Sequence, residues 1–422
     1  MFASLTHMDK WAYSSFIVAV VALLIHWRLG CYAMLLMTVV HIIRLFTLKH
    51  LGNPHINRPS RVCLWLMIAY WVLYIVSALF CANKEEAWET VLVKLPFVVF
   101  PLIILSGDTG YLDGKHIRGL FYVMLGTLII RFLISVVISV AAITKGVPVS
   151  QSFYWEFDPL GLHHNYLGLY ITIALAFLYT DIQHYWKRRN RTWKYTISIT
   201  MAVLLTYMLL SYSRSTIVTT VVLIAVALLH ITVSQGNWLS GVIVFSACVL
   251  LCIGLQTTAP RAFARFGVII TNIKNGQPGD DRIALAQYAW KTMEDHWLWG
   301  YGSGDYMPTL MTTYEKYGYQ DGLKYHYGSH NQYLETLLET GIIGLAILLV
   351  MLLTPLATHI RHNKRHLLTL MVTSAIMSQI FFESMFNRSM SVQMAALCYC
   401  LIIVDANRIQ SKTKNEELVK EE

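Results

Sequence analysis

The sequence predicts an all-α integral membrane protein, with about 12 transmembrane helices and one large, partly helical outward loop before span 10. Three observations carry this expectation. The 422 residues are 56% hydrophobic and only 14% charged, with a mean hydropathy of +0.50; a soluble domain carries charge on about a quarter of its residues. The apolar residues fall in runs of roughly 17 to 25, the length that crosses a hydrocarbon core as a helix, and not in the short alternating segments of a β-barrel. Most cations sit in short connections between these runs, so the net charge of +9 reflects membrane orientation and not nucleic-acid binding.

Taken in order, the expected spans are 11–27, 30–48, 62–82, 89–106, 117–143, 164–181, 195–211, 214–233, 238–256, 335–360, 366–384 and 390–405. The first begins near Trp11 without a small-residue cleavage pattern after it, so it reads as a span and not as a signal peptide. The basic connections all follow even-numbered spans. They hold Arg58 and Arg61, then Lys187, Arg188, Arg189, Arg191 and Lys194, then Arg361, Lys364 and Arg365, and finally Arg408, Lys412 and Lys414. That bias places both termini in the cytoplasm. The chain divides into spans 1–9 over 1–256, the large outward loop over 257–334, spans 10–12 over 335–405, and a cytoplasmic tail over 406–422. The seven cysteines lie in or beside apolar runs and form no CxxC pair in a polar loop.

Polar chemistry concentrates in and around the 257–334 loop. A turn-forming run, Gly276-Gln277-Pro278-Gly279-Asp280-Asp281, precedes an amphipathic stretch with Ile283, Ala286, Trp290 and Met293 at helical spacing. Three positions put an ionisable residue at a helix start. Ser329-His330-Asn331-Gln332 fits a capping box with Ser329 as cap, which puts His330 in the first helical turn, where the dipole disfavours an imidazolium. Ser213-Arg214-Ser215 breaks two apolar runs, and Asp281-Arg282 opens the amphipathic stretch with Asp281 as cap. A neutral histidine can act as a base, and two arginines suit a lipid-linked diphosphate because guanidinium forks match phosphate oxygens. Read singly, Arg282 is equally a solvated loop arginine and His330 an interfacial histidine. Arg214 resists so plain a reading, because charge at a membrane break is costly.

Other residues stand out less. Lys94 and Arg131 lie within spans, where they bind phosphate or pair with Glu383. His164-Asn165-Tyr166-Leu167 echoes the segment from His330, either by chance or because two helix starts face one site. The glycines of Glu339-Thr340-Gly341-Ile342-Ile343-Gly344 suit close helix packing. Walker A, HExxH and GxSxG patterns are missing. The outward acidic pairs, Glu85-Glu86 and Asp280-Asp281, fit helix starts and turns better than a metal site, so neither metal nor cofactor is expected.

Four features resemble the bacterial O-antigen ligase and polymerase superfamily. They are Trp299-Gly300-Tyr301-Gly302-Ser303-Gly304; His330-Asn331-Gln332-Tyr333-Leu334-Glu335 running on to Gly344; Ser213-Arg214 before a span; and Arg282 ahead of Trp290. The resemblance covers about 211–350 and is otherwise one of topology. It implies a metal-independent, inverting glycosyltransferase of the bacterial inner membrane, with its active site facing the periplasm. The donor would be an undecaprenyl-diphosphate-linked glycan, His330 the catalytic base on the acceptor hydroxyl, and Arg214 and Arg282 the diphosphate ligands. Lys94, Arg131, His164, Tyr301, Asn331 and Tyr333 are further candidates around that site. The dominant loop favours a ligase acting on lipid A–core over a repeat polymerase of the same superfamily. A lipid-linked sugar transporter or flippase is the alternative from another class. It would need duplicated, interrupted spans, which the sequence does not display.

Overall fold

The computed structural model describes residues 6–48, 58–105, 111–152, 162–211, 213–235, 246, 281–294, 296–361 and 366–421. Among these, ten helices or helix pairs are long and apolar enough to cross a membrane, and the chain is an all-α, multi-pass membrane protein. The expected spans 1 and 2 are α1 (His7–Ile25) and α2 (Trp27–Leu48), and span 3 is α3 (Arg58–Phe80). Span 4 is divided into α4 (Lys84–Val93) and α5 (Pro96–Ile104), because Pro96 has no N–H to continue the ladder. Spans 5 to 8 are α6 (Gly114–Thr144), followed after the short α7 (Val149–Ser152) by α8 (His164–Tyr185), α9 (Arg191–Leu210) and α10 (Arg214–Gln235). The expected ninth span, 238–256, lies outside the described residues apart from position 246. The loop then contributes α11 (Asp281–Met293), α12 (Tyr306–Lys316) and α13 (Gln320–Tyr325). It leads into α14 (Gln332–Arg361), α15 (Leu367–Phe382) and α16 (Ser389–Glu421). The helix of α16 continues well past 406, so the expected tail prolongs a span.

Burial ranks the helices. The spanning windows of α8 and α16 are each 83% buried, against 28–44% for those of α1 to α6. These two form the centre, with α15 and α10 packed on α8 and with α5 and α15 on α16. Helices α1, α2 and α6 sit outside them. Exposed Leu35, Phe46 and Val137 there, like Trp65 on α3, face what in a bilayer is lipid.

Two intramembrane cations are consumed by this packing. The Arg131 guanidinium is buried and donates to the Leu24 and Ile25 carbonyls at the C-terminal end of α1, where orphan carbonyls and the negative dipole end accept a cation. Lys94 sits at the α4–α5 break, fully buried, donating to Asn387 and lying 3.9 Å from Glu339, with the Tyr74 ring 4.1 Å away. Neither pairs with Glu383, as the sequence had allowed, and neither lines the cavity that Arg214 and Arg282 share. The physical reason is depth. A cation inside the bundle takes the nearest acceptor on its own level.

The helix α14 is interrupted. Gly341 adopts φ 66 and ψ −165, outside the range of side-chain-bearing residues. The break frees the carbonyls of Leu338 and Glu339, which accept from Tyr301 N at 2.8 Å and Gly302 N at 3.0 Å; Ile342 N donates to the Trp297 carbonyl at 2.9 Å. The glycine-rich run at 300–304 thus threads into a gap in the helix. A Cβ on Gly341 would stand 2.1 Å from the Leu298 carbonyl oxygen, and one on Gly300 2.7 Å from Gly341 N. Close packing, expected of both glycines at 341 and 344, describes Gly344, whose Cβ would meet Leu73 at 3.2 Å.

Gly341→Ala should therefore cost more than the roughly 1–3 kcal/mol of backbone strain alone. Its clash is with backbone and cannot be relieved by a side-chain rotation. Gly126→Ala, in mid-helix with nothing within 4 Å, should be neutral or gain about 0.5–1 kcal/mol. Thermal unfolding of both purified variants checks this, and equal midpoints would contradict the threaded-loop account.

Candidate functional site

The starts of α8, α10 and α14 and the end of α15 meet at one end of the bundle, and a carboxylate joins them. Glu383 follows α15 in extended backbone. Its Oε1 lies 2.8 Å from His330 Nδ1, and its Oε2 accepts from the Asn165 amide. The Asn165 Oδ1 in turn accepts from the Ser213 and Ser215 hydroxyls, at 2.9 and 3.1 Å. These serines flank Arg214, the first residue of α10. One chain of hydrogen bonds therefore runs from the helix start that carries Arg214 to the imidazole of His330.

An open cavity of about 980 Å³ lies against this end. Its walls include Arg214 and Val218 of α10, Arg282, Ile283, Ala286 and Trp290 of α11, and His330, Asn331, Leu334, Phe381 and Phe382. Arg214, Arg282 and His330, more than a hundred residues apart at the extremes, thus line one space. Its floor is apolar; Arg214, Arg282 and His330 stand at helix starts, and Lys291 and Glu294 line it at the far end of α11. That combination suits an amphiphile with an anionic head.

Local chemistry sets the state of His330. His330 has φ 47, a left-handed backbone that is costly for a side-chain-bearing residue. The cap of α14 is Asn331, whose Oδ1 accepts from Tyr333 N at 2.9 Å and Leu334 N at 3.1 Å. This corrects the expected capping box: Ser329 donates instead to Glu335 at 2.6 Å, and Gln332 accepts from Phe386 N at 2.6 Å. His330 consequently precedes the helix and is not in its first turn. Burial pulls its imidazole toward the neutral form, but the hydrogen bond and charge of Glu383 overcome this, so the net shift is upward. For Glu383, burial favours the protonated acid, yet the bond to His330 prevails and holds the carboxyl below its ordinary range. The helix dipole is expected to disfavour the imidazolium; the counter-charge of Glu383 acts against that effect. Asp281, expected as a cap, lies in the first turn of α11.

A second layer holds the first. Glu335 accepts from Tyr306, Ser329, Ser384 and Asn387, at 2.6, 2.6, 2.7 and 2.9 Å. Ser329 and Ser384 adjoin His330 and Glu383, so Glu335 pins both strands of the pair. Asn387 also donates to Glu339 at 3.0 Å, and Tyr74 donates to Glu339 at 2.6 Å, which ties in Lys94. Lys94 therefore supports the site from beneath.

The remaining candidates divide. Asn331 lines the cavity. Tyr301 donates to the Thr292 carbonyl at 2.6 Å and braces the end of α11, while Tyr333 donates to the Met377 carbonyl at 3.0 Å. His164 is exposed and lies tilted against His163, with ring centroids 4.0 Å apart. It is Asn165, one residue on, that reaches Glu383. The echo between the two His-Asn segments thus marks two helix starts converging on one carboxylate. Sequence reading missed the roles of Asn165, Glu335 and Glu383. The repeated His-Asn was their one visible signal.

Residues 199–349 match the family model described as O-antigen ligase, which supports a place in the O-antigen ligase-related superfamily, whose members are glycosyltransferase-like enzymes. The match takes in Arg214, Arg282 and His330 and ends before Glu383. No curated protein matches the chain.

The pair makes a titration prediction. With Glu383 ionised, His330 should titrate above the ordinary value of about 6.5. In Glu383→Gln the burial remains and the counter-charge is gone, so the midpoint should fall below it. Histidine-labelled protein followed by NMR, with His330→Gln to assign the signal, reads both. A midpoint that does not move in Glu383→Gln would contradict the pair.

Proposed function

We propose that this chain is a membrane glycosyltransferase that moves a glycan from undecaprenyl diphosphate to an acceptor hydroxyl. Within the superfamily we read it as an O-antigen ligase acting on lipid A–core. The observation that carries the reading is the convergence of Arg214, Arg282 and His330 on one cavity with an apolar floor. In that reading the two guanidinium groups bind the diphosphate, and Ile283, Trp290 and Phe381 contact the first prenyl units. All three are about half exposed, as a lipid-contacting wall should be.

The chemistry follows from the hydrogen bonds. His330 Nδ1 faces Glu383, so its proton is held there and Nε2 is left as the acceptor. The acceptor oxygen attacks the anomeric carbon as the bond to the diphosphate oxygen breaks. The hydroxyl proton passes to Nε2, and the resulting imidazolium is stabilised by Glu383. The arginines take up the charge developing on the leaving diphosphate. Attack from the face opposite the leaving group inverts the anomeric centre. The raised histidine suits a base working near neutral pH. The basic connections favour cytoplasmic termini and a site at the outer, periplasmic face.

His330→Ala should lose roughly 10²–10⁴-fold in turnover with donor binding nearly intact. Arg214→Ala and Arg282→Ala should lose donor affinity as well, and Arg→Lys should restore only part, since an ammonium cannot reproduce the bidentate fork. Glycan transfer normalised to protein level, together with donor binding, separates these outcomes. Near-normal transfer by His330→Ala would sink the reading. Because the base must be unprotonated, the acid limb of the pH–rate profile should move down in Glu383→Gln. Orientation has its own test. A cysteine replacing exposed Trp299 should react with a membrane-impermeant reagent in intact cells, and one replacing exposed Arg189 should not.

A further inference from the structure

Among the described residues only two besides glycines have positive φ, His326 (φ 48) and His330 (φ 47), and they bracket one short segment. Such strain persists only where its surroundings enforce it, and it gathers at ligand clamps. His326 turns the chain at the end of α13 so that the rings on either side of it, Tyr325 and Tyr327, stack with centroids 5.3 Å apart and planes at 27°. The Tyr327 ring then meets the His330 imidazole edge-on, at 5.7 Å and 69°. This platform has a firm base. Tyr327 N donates to the Gly322 carbonyl at 3.2 Å, and the Tyr327 carbonyl accepts from the hydroxyl of buried Tyr314 at 3.1 Å. Yet Tyr325 is 53% exposed. Neither tyrosine is among the residues that line the cavity of Arg214 and Arg282.

A transferase has two substrates and one base. In the transferase reading the arginines hold the diphosphate in the cavity, and the Tyr327 ring, outside that lining, also meets the imidazole that the acceptor has to reach. The stacked pair has the chemistry of a sugar platform. The axial C–H bonds on one face of a pyranose are weakly positive and pack on the negative face of an aromatic ring. The equatorial hydroxyls then point outward to polar neighbours, here the phenol oxygens; the exposed Lys324 ammonium sits over the Tyr325 ring at 5.0 Å, and on its flexible stem it swings aside to hydrogen-bond a sugar that takes that face. An interfacial aromatic belt would also use tyrosines, but it needs neither a stacked pair nor two strained backbones. We propose that Tyr325 and Tyr327 form the acceptor subsite, which binds a pyranose ring of the acceptor glycan and delivers its hydroxyl to His330. This rests on the transferase reading above.

The test is saturation-transfer NMR on the full-length purified chain. Its probe is core oligosaccharide released from lipopolysaccharide by mild acid. Wild type should transfer saturation to sugar ring protons. Tyr325→Ala should weaken binding roughly tenfold, and Tyr325→Trp, which keeps an aromatic face, should retain it. Equal binding by wild type and Tyr325→Ala would overturn the subsite, as would no binding by wild type. The assay uses no donor and no turnover, so it stands apart from the transfer assay. Sugar binding through Tyr325 in a chain that transfers no glycan would support the subsite and overturn the transferase reading. Transfer with an acceptor KM unchanged by Tyr325→Ala would do the reverse.

Discussion

The carboxylate of Glu383 is the point on which the site depends. One oxygen faces His330 and the other accepts from Asn165, whose own carbonyl is held by the serines on either side of Arg214. A buried carboxylate with two such partners cannot shift without leaving donors unsatisfied, at a cost of about 1–3 kcal/mol for each buried group so left. Three helix starts and one helix end are therefore fixed relative to one another. His330 and Arg214 share a single rigid reference. In the transferase reading this arrangement holds the nucleophile and the leaving group in register.

Beneath it, the break at Gly341 does what a continuous helix could not. An unbroken α14 would satisfy its own carbonyls and leave Tyr301 N and Gly302 N without the partners they have here. With Gly341 turned out of the helical region, Leu338 and Glu339 present carbonyls to Tyr301 and Gly302. The loop is thereby anchored inside the bundle. Because α11 precedes that loop directly, the anchor also sets the position of Arg282 and Trp290. Backbone satisfaction inside the bundle is strict, since no water is available to replace a lost partner. The glycine run is explained by that requirement.

The buried charges follow the same logic. Lys94, Glu339 and Glu335 form one polar layer with Asn387, Tyr74 and Tyr306. Removing one member of a buried ion pair typically costs 3–5 kcal/mol, because the partner is left uncompensated. Such a layer holds its neighbours in place at the bundle end. Arg131 meets its requirement separately, at the C-terminal end of α1.

How far the site could be read from sequence depends on the range of each interaction. Apolar run length and the placement of basic connections are local properties. They determined the all-α membrane class, to within a few residues the ten described helices or helix pairs long enough to span, and a family resemblance over about 211–350 that overlaps the matched residues 199–349. Arg214, Arg282 and His330 were legible for a related reason, since each stands at a helix start where its cost in apolar surroundings is visible in the sequence itself. Glu383 was not. A lone glutamate after an apolar run has many available partners, and Lys94 and Arg131 were as reasonable on paper as His330. Choosing among them needed the depth and azimuth of each helix, which arise only when the bundle packs. Tertiary structure alone decided the His330–Glu383–Asn165 chain, the interruption of α14 and the left-handed turns beside Tyr325 and Tyr327, because each joins residues whose contact no local periodicity encodes.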